Sequence, residues 1–118
     1  MNSYSSITEL LAALKNDTAI FNDVITFVDT SYDFTPISFV NGNKTNELGE
    51  NNGSAKVFAL AKSHGLNKAE TLTLFAEHYK KVVATPTDTD HDNIRNFIEF
   101  GWEGIKMSTN PLTKKKLN

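Results

Sequence analysis

Three observations predict a mainly α fold of about five helices in one compact domain with a small two-stranded β-ribbon. Apolar residues recur at helical spacing in five separate stretches, helix-start signals precede most of them, and the one short apolar run without that spacing, Ile37-Ser38-Phe39-Val40, is bounded by turn formers. With 118 residues, 39% of them hydrophobic, the chain can bury one core without a metal or a disulfide to hold it.

The first helix opens at Ser6, where Glu9 completes the spacing of a capping box, and carries Ile7, Leu10, Leu11 and Leu14 on one face before ending near Lys15-Asn16. Asp17 is read as the cap of a second helix bearing Ile20, Phe21, Val24, Ile25, Phe27 and Val28, stopped by Thr35-Pro36. The run 37–40 is then a strand followed by an Asn41-Gly42 turn, and residues 43–53 hold too few apolar side chains for a returning strand and read as a loop. Its strand partner is therefore sought near the C-terminus, at Gly104-Ile105-Lys106-Met107. A third helix opens at Ser54 with Val57, Leu60 and Ala61 inward and closes at Gly65. Asn67 and Glu70 again have capping-box spacing, and the stripe Ala69, Leu72, Phe75, Ala76, Tyr79, Val82 and Val83 predicts one continuous helix up to Thr85-Pro86. The fifth begins at Asp90 with Ile94, Phe97, Ile98, Gly101 and Trp102 on its core face. The domain is expected to span residues 1–107, and residues 108–118, with Pro111 and three consecutive lysines, to form a disordered basic tail.

Composition removes several function classes. The absence of cysteine excludes thiolate nucleophiles, disulfides and cysteine-ligated metal, and fits a reducing cytoplasm. A net charge of −2 supplies no field that would draw the whole molecule to nucleic acid or anionic lipid, and no apolar run is long enough for a membrane span. Neither a G-x-S-x-G elbow nor a P-loop is present.

Candidate chemistry gathers at two helix starts. Asp88, Asp90, Asp92 and Glu99 match positions 1, 3, 5 and 12 of an EF-hand calcium loop. Asn93 stands where that loop needs glycine, Arg95 where it needs an apolar residue, and the stripe from Ile94 demands helix. The acids are more simply explained as helix N-terminal residues, so no cofactor is expected and calcium is kept as an alternative. His91 lies at the edge of the apolar face, where Asp90, Asp92 and Arg95 could tune it as an acid or base. It is a candidate catalytic residue together with Arg95, which is a candidate anion binder. Asn51-Asn52-Gly53-Ser54 brings a hydroxyl and free backbone amides to the other helix start, where an anion can be held, although an N-cap role for Ser54 is the default. His64 reads as a core or C-terminal-turn residue and His78 as surface or interface.

Tyr32-Asp33-Phe34-Thr35-Pro36, Phe39-Val40-Asn41-Gly42, Asn51-Asn52-Gly53-Ser54, Thr89-Asp90-His91-Asp92-Asn93-Ile94-Arg95-Asn96-Phe97 and Gly101-Trp102-Glu103-Gly104-Ile105 resemble the HopJ family of type III effectors over roughly residues 5–107. The resemblance implies a bacterial protein, resident in the cytoplasm before any type III export into a host cell, and it implies no particular activity. The family often carries cysteine after its N-N-G-S block, where this chain has Ala55, so a thiol mechanism is not required. Matching polar positions are Asn41, Asn51, Asn52, Ser54, Asp90, His91, Asn93, Arg95 and Asn96, and the expectation is that the two helix starts share one polar pocket. The reading is a protein-binding or interaction module rather than an enzyme, a monomer whose unknown partner is a host protein if the chain is exported, with no nucleic acid or membrane as partner. The alternative is a divalent-metal-binding protein or small enzyme centred on Asp88 to Glu99.

Overall fold

The first turn of the chain shows how local signals become packing. Ser6 accepts the Glu9 amide, and the helix α1 (Ile7–Lys15) that this starts buries Leu10, Leu11 and Leu14. The computed structural model describes residues 4–115. Among them six α-helices and five short strands follow in the order α1, α2 (Phe21–Ser31), β1 (Tyr32–Phe34), β2 (Phe39–Asn41), β3 (Lys44–Asn46), α3 (Asn52–Ser63), α4 (Lys68–Thr73), α5 (Glu77–Ala84), α6 (Asp92–Phe100), a 3₁₀ turn (Gly101–Gly104), β4 (Ile105–Lys106) and β5 (Leu112–Lys114).

The fold is mainly α with a small β region, as the periodicity predicts. Helix α3 is the centre, with Val57, Phe58 and Leu60 excluded from solvent. The Phe58 ring meets Phe39, Phe75, Phe97 and Trp102 at centroid distances of 6.2, 5.4, 5.1 and 6.3 Å, so one aromatic side chain joins the sheet to the turn after α4, to α6 and to the 3₁₀ turn. Trp102 donates its indole N–H to Leu66 O at 3.0 Å, which satisfies its polar edge as it packs.

The expected ribbon is present: β2 pairs antiparallel with β4, with Val40 opposite Lys106 and Asn41 opposite Ile105. It is one strand wider than expected. The 43–53 loop reading is corrected at its start, because Lys44–Asn46 returns along β2 after the two-residue connection Gly42-Asn43. Gly42 adopts φ +63° there, and the hairpin closes without apolar residues in β3 because Asn46 finds amide partners inside. The disordered tail is likewise corrected over its described part. Leu112–Lys114 pairs with Tyr32–Phe34, Leu112 is buried, and Thr35 N donates to Pro111 O at 2.8 Å. Residues 116–118 lie outside the described residues.

Several boundaries move for stated reasons. Helix α2 starts after Ile20, whose amide is accepted by Asp23 at 2.9 Å, and Asp17 instead turns the chain at φ +59°. Helix α3 starts two residues before Ser54, which becomes a first-turn residue rather than the cap. The continuous helix expected over 67–84 is broken at Leu74–Ala76, where Ala76 sits at φ +53°, ψ −125°. Helix α6 begins at Asp92 rather than Asp90, and Ile98, 36% exposed, stands beside a surface groove rather than in the core.

The 3₁₀ turn closes tightly on the hairpin. Gly42 N donates to Gly104 O at 2.9 Å, and a Cβ on Gly104 would lie 2.7 Å from Phe100 Cβ and 2.9 Å from Gly42 N. Gly104→Ala is therefore expected to cost about 2 kcal/mol through overpacking, read as a lower midpoint in urea unfolding; an unchanged midpoint would show that the turn has room to give.

Candidate functional site

Helices α3 and α6 both open from a residue in the left-handed region. Asn51 has φ 53°, ψ 44° and His91 φ 52°, ψ 45°, and neither side chain caps its own helix. The left-handed residue followed by right-handed ones turns successive N–H groups toward one side. The first backbone bonds from these caps are Ala55 N to Asn51 O and Ile94 N to His91 O, so the amides of Asn52, Gly53, Ser54, Asp92 and Asn93 precede the helical ladder.

The two helix starts line one open cleft of about 230 Å³. Asn51, Gly53 and Ser54 come from α3 and its cap, His91, Asp92, Asn93 and Ile94 from α6 and its cap. Phe21, Phe75 and His78 form the remaining wall. The rings of His78 and His91 lie 4.9 Å apart at 33°, and Phe21 meets His78 edge-on at 4.8 Å.

Below the cleft, a buried asparagine cluster holds the two starts. Asn41, Asn46 and Asn93 are 0%, 0% and 4% exposed. The Asn41 amide donates to Asn93 O at 2.8 Å and to Asn93 Oδ1 at 3.0 Å. Asn46 and Asn93 exchange side-chain bonds of 3.2 and 2.9 Å, and Asn51 donates to Asn46 Oδ1 at 2.7 Å. One turn along α6, Asn96 donates to Asn41 O and to Asn43 Oδ1, both at 2.9 Å. The hairpin, the α3 cap and the α6 first turn are thus one connected unit.

Two acids of the run are engaged in ion pairs. Asp90 bonds Lys81 and Arg95 at 2.7 Å each, and hydrogen bonds from Lys81 first and Arg95 second hold its carboxyl down at about 2. Asp92 pairs with Lys44 at 2.9 Å. Residues 92–100 are helix where an EF-hand needs loop, and among the described residues no group of three or more His, Asp or Glu side chains is placed to hold a metal. The guanidinium of Arg95 is turned inward, donating to Thr85 O, Thr85 Oγ1, the Asp90 carbonyl and Asp90 Oδ1, so it pins the turn between α5 and α6. Asp88 and Glu99 are exposed and stand outside the cleft.

The polar residues singled out from sequence therefore separate into groups. Asn51, Ser54, His91 and Asn93 line the cleft, Asn41 and Asn96 support it from beneath, and Asp90 and Arg95 brace the preceding turn. Asn52 occupies the first position of α3 with its Oδ1 buried and, like Asn41 Oδ1, without a hydrogen-bond partner among the described residues. Sequence reasoning missed Asn46, His78, Phe21 and Phe75. Asn46 had a signal, because a two-residue hairpin connection sets it opposite inward-facing Phe39. Phe75 and His78 needed the break after α4.

The model of the HopJ type III effector proteins matches residues 7–112. The chain belongs to this family. A crystal structure of an unknown-function protein, VPA0580, is similar at 39% identity with a TM-score of 0.86, covering 98% of each chain. No curated protein matches. Membership of the HopJ family carries the shared frame of the domain, and the cleft described above has to be read from its own chemistry. No helix in the described residues is long and apolar enough to cross a membrane.

Because the Asp90 carboxyl is depressed in the folded state, its bonds contribute stability that is present above the unfolded carboxylate value of about 4 and is lost as pH falls toward 2. Asp90→Asn should lower stability at neutral pH and flatten the stability curve across that acidic window. Urea unfolding at a series of pH values checks this, and curves that stay parallel would contradict it.

Proposed function

We propose that this HopJ-family chain is a protein-binding module whose recognition site is the cleft between the starts of α3 and α6, and that it takes an acceptor-bearing side chain of its partner, a carboxylate or a phosphate-bearing group. One observation carries the reading: two uncapped helix N-termini, each following a left-handed residue, open onto the same space. Free first-turn N–H groups and the positive end of the helix dipole favour an acceptor there. Asp92 does not oppose this strongly, since Lys44 pairs with it at 2.9 Å. The histidine pair and Phe21 give the cleft a flat aromatic side against which the stem of a side chain can lie.

Family membership supports a bacterial cytoplasmic protein that is exported by a type III system in organisms that have one, where the partner would be a host protein. In the metal-binding or enzymatic alternative, Arg95 would have to leave Asp90 and Thr85, and Asp90 would have to leave Lys81 and Arg95.

Amide NMR spectra recorded during titration with inorganic phosphate, and separately with acetate, test the site. Saturable shifts centred on residues 51–54 and 91–94, weakened by Lys44→Glu, are expected. Shifts scattered over surface lysines, or none at millimolar anion, would remove the cleft as the recognition site.

A further inference from the structure

The stretch from Lys68 to Ala84 contains no glycine or proline and carries one apolar stripe, so its local preference is a single helix. The fold overrides that preference. From Leu74 to Ala76 the backbone amides donate to the carbonyls three residues back rather than four, and Ala76 then takes a positive φ that an L side chain avoids. Neither a breaker residue nor a side-chain cap at Ala76 explains the break.

What holds α5 in its bent position is mostly polar and exposed. Glu77 accepts the Phe21 amide at 2.7 Å across the start of α2, Lys80 pairs with Asp17, and Lys81 bonds Asp90 at 2.7 Å. Within α5 itself only Val82 is buried, Tyr79 packs partly buried on the core and the His78 ring meets Phe21 and His91, whereas Val83 is 59% exposed. Its first turn supplies His78 to the cleft wall.

From the conflict between a helix-forming sequence and a strained break, with Leu74 and Phe75 held in the core and the helix beyond them lightly anchored, we infer that α5 is a movable arm. It exchanges between the docked position and one in which α4 and α5 run as a continuous helix. Straightening restores the four-residue hydrogen-bond spacing and relieves Ala76. It also withdraws Glu77 from the α2 start and parts His78 from His91, which opens the cleft on that side. The arm thereby controls access to the site proposed above. Its motion does not depend on what that site binds, so the ligand-free test below can fail without touching the cleft reading.

The absence of cysteine lets two labels be placed by Ala69→Cys and Val83→Cys, both at exposed positions of the full chain. Pulsed EPR should show, beside the docked distance, a population near the roughly 21 Å axial spacing of a continuous helix of that length. Adding Glu77→Ala should enlarge that population. Adding Ala76→Gly should remove it, since glycine relieves the docked form and disfavours the straight helix by about fivefold. It should also raise the melting temperature. A single docked distance that persists with Glu77→Ala would overturn the inference, as would a lower melting temperature for Ala76→Gly.

Discussion

Burying the amides of Asn41, Asn46 and Asn93 takes six strong hydrogen-bonding groups out of water, and each must then find a partner inside or cost stability. The structure meets most of that demand by pairing the three with one another and with backbone carbonyls. Few alternative packings would satisfy the same groups. The cluster therefore fixes the angle at which the hairpin meets α6 and, through Asn51, where α3 begins. An apolar core of the same volume would tolerate sliding between these elements; a hydrogen-bonded amide cluster does not.

Two strained positions stand at the helix starts that the cluster holds. Asn51 and His91 take left-handed conformations at the entries to α3 and α6, and Ala76 takes a positive φ where the chain must turn to lay α5 beside α6. Each costs of order 1–3 kcal/mol outside glycine. Asn51 and His91 line the cleft, and Ala76 lies between its wall residues Phe75 and His78. The aromatic core around Phe58 and the ion pairs around Asp90 hold the strained segments in place, so stability generated elsewhere maintains a site with free amides and exposed rings.

How much of this was legible in the sequence depends on the kind of interaction. Helix faces were readable because apolar spacing reports burial directly: Leu10, Leu14, Val57, Leu60, Ile94 and Phe97 all face inward as expected. Pairing of 37–40 with the segment near 105 was readable from the shortage of apolar partners in between. The strand at Lys44–Asn46 was not, because its inward residue is an asparagine whose partner Asn93 lies 47 positions away. The strand at Leu112–Lys114 was hidden by the lysines that follow it, since charge suggests solvent while backbone pairing ignores side-chain type. The break at Ala76 had no local signal at all; it is imposed by tertiary contacts against a helical preference, which is the pattern expected of a strained functional segment. At the site, the sequence placed both helix starts two residues late or early because neither is marked by a side-chain cap, and their shared cleft depends on the asparagine cluster and on His78 arriving from beyond the break.

The account rests on Asn46 and Asn93 acting as one unit rather than as two separately satisfied groups. A double-mutant cycle with Asn46→Ala, Asn93→Ala and the double variant, followed by urea unfolding, measures this. Each single change should cost about 2 kcal/mol by leaving the other amide without its partner, and the pair should show a coupling above about 1 kcal/mol. Additive losses within about 0.3 kcal/mol would contradict the claim that the cluster positions the two helix starts.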